Sequence, residues 1–205
     1  MTQSTHTLRP DLQLIADLVT PSARVLDIGC ADGHLLNYLV QEKNVDGRGI
    51  EISQTGVNAC VAKGLFVIQG DADNDLAEYP DQSFDFAILS HTLQAVHRPR
   101  DVLLDLLRIG KKAIVTIPNF GQWKVRLNLM SRGRMPVTNT LSKSWYDTEN
   151  IHFCTILDLF DLLNAEGITV KQFVPHTNAG RKMNMGAKGA NWFADQGLFL
   201  LEKQS

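Results

Sequence analysis

Several things are scarce in this 205-residue chain, and each shortage removes a class of function. There are three cysteines, Cys30, Cys60 and Cys154, an odd number at wide spacing with no C-x-x-C pair. Neither a disulfide framework nor a thiolate zinc site is expected from that pattern. The six histidines include no pair at i, i+3 or i, i+4, which removes the helical metal motif as well. No uninterrupted apolar run approaches the ~18 residues of a membrane span. The opening residues, Met1 to Pro10, are polar and lack the apolar core of a secretory signal, so a cytoplasmic location is expected. Neither sign of charge is in large excess: 20 Lys and Arg against 22 Asp and Glu give a formal net charge of −2. That is too little to draw the whole chain to nucleic acid or to an anionic membrane.

What is present is a 44% hydrophobic content, enough for one soluble domain over residues 1–205 with a substantial core. Its organising stretch is R-V-L-D-I-G-C-A-D-G, Arg24 to Gly33. Val25, Leu26 and Ile28 form a short apolar run ending in a Gly-rich turn, and Leu35, Leu36, Leu39 and Val40 follow at helical spacing. The unit reads strand, tight turn, helix, with backbone N–H groups at the turn available to a ligand. Charge decides which ligand. A pyrophosphate cradle has few acids beside it, but Asp27 and Asp32 flank this turn, Glu51 ends the next apolar run, and Asp71 and Asp73 follow the run Leu65 to Gln69. Several carboxylates around one crevice repel a phosphate and suit a cation. S-adenosylmethionine, with a sulfonium, an ammonium and a ribose diol, has the matching chemistry.

Elsewhere the periodicity alternates helix and strand. Leu8 to Val19 carries a helical stripe that either packs on the sheet or leans over its cofactor end; Ser53 is placed to cap a helix through Val57, Cys60 and Val61. Phe84 to Leu89 reads as a fourth strand with Ser90, His91 and Thr92 at its end, Arg100 to Arg108 as an amphipathic helix, and Lys112 to Ile117 as a β-branched strand. Gln122 to Met130 fits both periods, and its Gln, Lys, Arg, Leu and Met content favours helix. Thr155 caps a helix that exits at Gly167, and Ile168 to Val174 with Gly197 to Leu201 supply a final antiparallel pair. Between those two strands, His176 to Gly189 reads as a mobile, Gly-rich basic loop.

The D-x-G-x-G-like turn and the acids after it resemble the class I S-adenosylmethionine-dependent methyltransferases. The resemblance implies a Rossmann-like, doubly wound α/β fold with a seven-stranded sheet. It also implies that Asp27, Gly29, Cys30, Ala31 and Gly33 hold the methionine part of S-adenosylmethionine or S-adenosylhomocysteine. Glu51 with Ile52 would take the ribose, Asp71 with Ala72 the adenine, and Ser90 the methyl end. Ala31 stands where that family has a middle glycine, a departure that bears on close backbone approach. The Asn/Asp-Pro-Pro-aromatic signature of many amine and base methyltransferases is missing after Phe84 to Leu89. His91 is the one histidine that motif places near the methyl group, as a general base or as a hydrogen-bonding and packing residue.

A second resemblance covers nearly the whole chain. L-R-P-D-L-Q-L-I-A-D-L-V near the start, T-L-Q-A-V, P-N-F-G-Q-W-K-V-R-L, G-R-M-P-V-T and W-Y-D-T-E-N-I-H-F-C-T together look like the MetW family of bacterial methionine biosynthesis. That likeness implies a methyltransferase-like protein working alongside a homoserine O-acyltransferase that uses an acetyl or succinyl donor, and it identifies no methyl acceptor. Two classes therefore stand: a cofactor-sensing partner of the acyltransferase, and a working methyltransferase on a small acceptor. Residues 118–155 form a basic insert after the fifth strand, with Lys124, Arg126, Arg132, Arg134 and Lys143 against Asp147 and Glu149. Its Trp123, Arg126, Arg134 and Trp145 mix aromatics with cations as partner-docking anchors do. That charge is modest for a nucleic-acid face.

Overall fold

The computed structural model describes residues 8–138 and 143–203. The insert's residues 139–142 lie outside that set, as do 1–7 and 204–205. The strands are β1 (Arg24–Ile28), β2 (Asp46–Glu51), β3 (Phe66–Gln69), β4 (Phe84–Ser90), β5 (Gly110–Pro118), β6 (Ile168–His176) and β7 (Gln196–Lys203). They form one sheet in the order β3-β2-β1-β4-β5-β7-β6. The first five are parallel; β7 runs antiparallel between β5 and β6. The helices are α1 (Pro10–Leu18), α2 (His34–Lys43), α3 (Gln54–Ala62), α4 (Pro99–Ile109), α5 (Trp123–Arg132), α6 (Ile156–Ala165) and α7 (Ala187–Phe193).

A central parallel strand is covered on both faces, and its alternate side chains sort into two cores. Val25 of β1 packs with Leu12 and Ile15 of α1 and Leu35 and Leu39 of α2. Leu26 and Ile28 turn the other way, onto Leu103 and Leu106 of α4. Helix α1 therefore packs on a face of the sheet. Local signals set the helix ends. The Ser53 hydroxyl accepts from the Gly56 N–H, and Thr155 and Asp158 make a reciprocal capping box that starts α6. Phe160 of α6, Phe173 of β6 and Phe199 of β7 stack within 5.2 Å of one another, fastening the antiparallel end.

One region departs from the sequence reading. The Gly-rich stretch from His176 does not stay a loop: it closes a bridge between His176 and Lys182 and then winds into α7. Asn119 accounts for the helix, because its side-chain amide reaches the carbonyls of Ala190, Asn191 and Ala194 at 3.2, 3.1 and 2.9 Å. The expected helix over Gln122 to Met130 is α5 (Trp123–Arg132) with Gln122 as its N-cap, and Val125 is the one buried residue within it.

Candidate functional site

The order of the sheet reverses between β1 and β4, and a crevice opens where both strands end at their carboxyl edge. Its first wall is the turn after β1. Gly29, Ala31 and Gly33 all have positive φ, at 71°, 50° and 76°. Gly29 is required twice over, for its φ and because an added Cβ would lie 2.5 Å from Thr92 Oγ1. Ala31 holds an unusual conformation for a residue with a Cβ, and its N–H donates to Glu51 Oε2 at 2.8 Å. The departure from glycine at that position is thus accommodated by a bond to the neighbouring strand end.

The turn's N–H groups do not wait for a ligand, as the sequence suggested. Those of Gly29 and Cys30 both donate to the Ile50 carbonyl, at 2.8 and 3.2 Å, and that of Gly33 to Cys30 at 2.9 Å. The turn is held in shape from within. What it presents outward is a small, open backbone surface beside two buried carboxylates.

Those carboxylates are Asp27, 2% exposed, and Glu51, 8% exposed. Glu51 accepts from Ala31 N–H and Ser53 N–H, both at 2.8 Å, and keeps lone pairs in reserve. Burial, and then the Glu51 charge, push the Asp27 carboxyl up to about 7. Asp32 is not part of this pair: it turns outward to His34 at 2.8 Å and to Lys63. Asp73 serves the scaffold, accepting from the His97 and Arg98 N–H groups at 2.8 Å each. Asp71 accepts from Asp73 N–H and from the Asn74 amide at 2.9 and 2.7 Å, and it borders a cleft of about 180 Å³ together with Gly29, Ile52, Ala72, Thr92 and Val96. Cys30 lies behind the turn, its Sγ 4.0 Å from that of Cys60, both thiols buried and pushed up by desolvation.

Ser90 and His91 end β4 beside Thr116 of β5. Ser90 Oγ lies 3.3 Å from Thr116 Oγ1, and the His91 N–H donates to the Thr116 carbonyl and hydroxyl. His91 has φ of 55°, and its Nε2 stands 3.8 Å from Asp11 Oδ2. Burial draws its pKa below the ordinary imidazole value, against the opposing pull of Asp11. The sequence reading missed Asp11. Its signal was there: three residues after Leu8 and four before Ile15, the carboxylate falls on the apolar stripe of α1, where it is buried. Thr92, expected at the end of the fourth strand, borders the cleft, and Val96 was missed because only the folded turn after β4 brings it there.

The anchors named on the insert separate. Trp145 is 72% exposed, its ring edge-on to that of Tyr146, and Trp123 and Arg134 are also exposed. Arg126 is partly committed: its Nε donates to the Gly121 carbonyl and its guanidinium stacks 4.4 Å from the Trp192 ring centroid. Trp123 and Leu127 instead line a groove of about 830 Å³ with Lys124 and Arg181 at its sides. Among the described residues no group of three or more His, Cys, Asp or Glu could hold a metal ion, and no helix is long and apolar enough to cross a membrane.

Residues 9–201 match the family model described as methionine biosynthesis protein MetW. A relative from Rhodopirellula baltica, a bifunctional methionine biosynthesis protein MetXA/MetW, is 32% identical over 177 residues, a match taking in 82% of this chain and 28% of that protein. The chain thus spans under a third of that relative's length. A SAM-dependent methyltransferase from Thermotoga maritima, described as a possible histamine N-methyltransferase, aligns with a TM-score of 0.67 at 21% identity over 97% of this chain and 91% of its own. Another SAM-dependent methyltransferase, from Archaeoglobus fulgidus, gives 0.65 at 18% identity over 94% and 91%. At those identities the likeness shows the fold, which is that of the class I methyltransferases.

Proposed function

Because this chain belongs to the MetW family of methionine-biosynthesis proteins, we propose that it binds S-adenosylmethionine at the strand ends and acts alongside a homoserine O-acyltransferase. The observation that carries the cofactor reading is the buried pair Asp27 and Glu51, in which one carboxyl is held up to about 7 partly by the other's charge. A cationic ligand relieves that repulsion, and a pyrophosphate aggravates it. The residues fit such a cofactor. Glu51 has lone pairs left for ribose hydroxyls, and Asp71, Ala72 and Ile52 border a cleft suited to a nucleoside base. Its volume of about 180 Å³ is below the ~300 Å³ at which whole-ligand pockets begin, so it takes the nucleoside part while the methionine part lies along Gly29 to Gly33 toward Ser90. Bound there, the cofactor supplies an activated methyl sulfonium.

Partnership with the acyltransferase is supported by the relative whose one chain is a MetXA/MetW protein, since joining two proteins covalently raises their effective concentration. Exposed Trp123, Arg134 and Trp145 are the anchors assigned to that contact, together with Arg126. The test is to measure homoserine acylation by the acyltransferase alone, with this protein, and with S-adenosylmethionine added. A rate that rises with this protein and responds to the cofactor is expected; three equal rates overturn the partnership. The second reading, methyl transfer to a small acceptor with His91 as base, draws on the Asp11 carboxylate beside its ring. It requires S-adenosylhomocysteine to form without the acyltransferase.

A further inference from the structure

The two edges of the sheet are finished differently. Strand β6 closes one edge with Lys171 and Pro175, and its register with β7 is broken by a bulge between Val170 and Gln172. A lysine, a proline and a bulge are devices that keep an edge strand from pairing with another chain. Strand β3 closes the other edge and has none of them. Its sequence is F-V-I-Q, it pairs with β2 in unbroken register, and no strand among the described residues lies on its outer side. Phe66 and Ile68 are both more than half exposed.

Which backbone groups of β3 face outward follows from one bond. The Gly70 N–H donates to the Glu51 carbonyl of β2 at 3.1 Å. Backbone groups of successive residues in a strand point to opposite sides. The even-numbered residues therefore serve β2, and Val67 and Gln69 turn their N–H and carbonyl groups to the open edge. Side chains alternate as well, between the two faces of the sheet. Phe66 and Ile68 stand on one face, with Arg48 Cζ 4.6 Å from the Phe66 ring centroid, while Val67 packs on the other against Leu36, Cys60 and Leu65. A hollow of about 400 Å³ runs along this edge, bordered by Val61 and Leu65 and by Phe66, Ile68 and Tyr79.

We propose that β3 is a dimer interface, pairing antiparallel with β3 of a second copy of this chain about a two-fold axis at Val67. A two-fold centred on an outward-facing residue lets that residue exchange both backbone bonds with its own copy. Centring on Val67 places Gln69 opposite Leu65, and Phe66 opposite the second copy's Ile68 as a close apolar pair formed twice. Charge sets the same direction. Arg48, level with Phe66, and Lys63 lie at the amino end of the strand, and Asp71 and Asp73 follow its carboxyl end. Both cations keep exposed surface beyond their contacts with Asp46 and Asp32. An antiparallel copy brings cations to carboxylates, whereas a parallel one sets like against like. The groove beside α5 is bordered by Thr177 and Arg181, from the β6 end of the sheet, so a second copy at β3 leaves that face clear. The inference goes beyond the proposed function and stands without it.

The test follows the full chain by sedimentation over a dilution series. A mass of twice one chain, falling to that of one chain on dilution, is expected. Ile68→Lys, which sets a cation against the second copy's Phe66, should be monomeric throughout with its circular dichroism unchanged. Register is read by mixing Phe66→Cys with Ile68→Cys under diamide, a mild thiol oxidant. Opposed Cα atoms at about 4.5 Å lie within disulfide reach, so the mixture should cross-link and neither variant should do so alone. A wild-type chain that is monomeric at every concentration overturns the proposal, as does a dimer that Ile68→Lys leaves intact. Cross-linking of either variant with itself, or none in the mixture while the wild type is dimeric, overturns the two-fold at Val67.

Discussion

The crevice at the strand ends and the outer face of α5 use opposite currencies. In the crevice, charged groups are buried beside a turn whose Gly29, Cys30, Ala31 and Gly33 N–H groups are bonded, whereas on α5 apolar groups stand in water. Of ten residues in α5 only Val125 is buried, while α4 buries five of eleven. Leu127, Leu129 and Met130 are 47%, 48% and 81% exposed. Helices of this length draw most of their stability from packing, and α5 has little beyond its Gln122 cap and the Arg126 stack on Trp192. The contrast separates two kinds of surface: the first buries charge within the fold, and the second exposes apolar area.

Four perturbations bear on that contrast. The largest effect is expected from Trp123→Ala combined with Arg126→Ala. At about 2 kcal/mol or more for each lost anchor, a pull-down should recover almost none of the acyltransferase, with S-adenosylmethionine affinity preserved; undiminished recovery would move docking elsewhere. Next is Gly29→Ala, which places a Cβ against Thr92 at positive φ. Left-handed backbone and overpacking together should cost on the order of 2–4 kcal/mol in urea denaturation. Unchanged stability would mean that Thr92 yields freely.

Third, Glu51→Ala strips the acceptor from two backbone N–H groups. Calorimetry should show cofactor binding weaker by roughly tenfold or more, from a loss of about 1.5–3 kcal/mol. The smallest effect on cofactor binding is a pH dependence, which also acts on stability. Asp27 titrates near 7 in the fold and near 3.8 when unfolded, so between those values the folded chain holds a proton that the unfolded chain has released. Stability contributed by this group therefore declines as pH rises from about 4 to about 7, then levels off. Affinity for a cationic cofactor runs the other way, gaining up to roughly tenfold between pH 6 and 8 as Asp27 ionises. Asp27→Asn should flatten both trends in denaturation and calorimetry.

The alternation of strand and helix was legible in the sequence because apolar periodicity and caps are local: Ser53, Thr155 and the run Val25 to Ile28 announce their elements within a few residues. The acids at three strand ends were legible for the same reason. What the residues could not disclose depends on register. That Ile50 and Glu51 consume the N–H groups of Gly29, Cys30 and Ala31 follows from how β2 lies beside β1, and that Asp32 turns away follows from where His34 and Lys63 sit. Helix α7, A-K-G-A-N-W-F, is short and glycine-containing, and it exists through Asn119, some seventy positions earlier in the chain.

The place of β7 in the sheet also bears on how the molecule is made. During synthesis β6 leaves the ribosome before β7, yet it joins the sheet only through β7, which lies between it and β5. The parallel half can assemble as it emerges, while β6 must wait with neither hydrogen-bonding edge paired in the sheet. Segments that wait in this way are exposed to aggregation. Losing β7 would therefore do more than trim an edge: it would strand β6, dismantle the Phe160, Phe173 and Phe199 stack, and leave His176 without the neighbour that completes its surroundings.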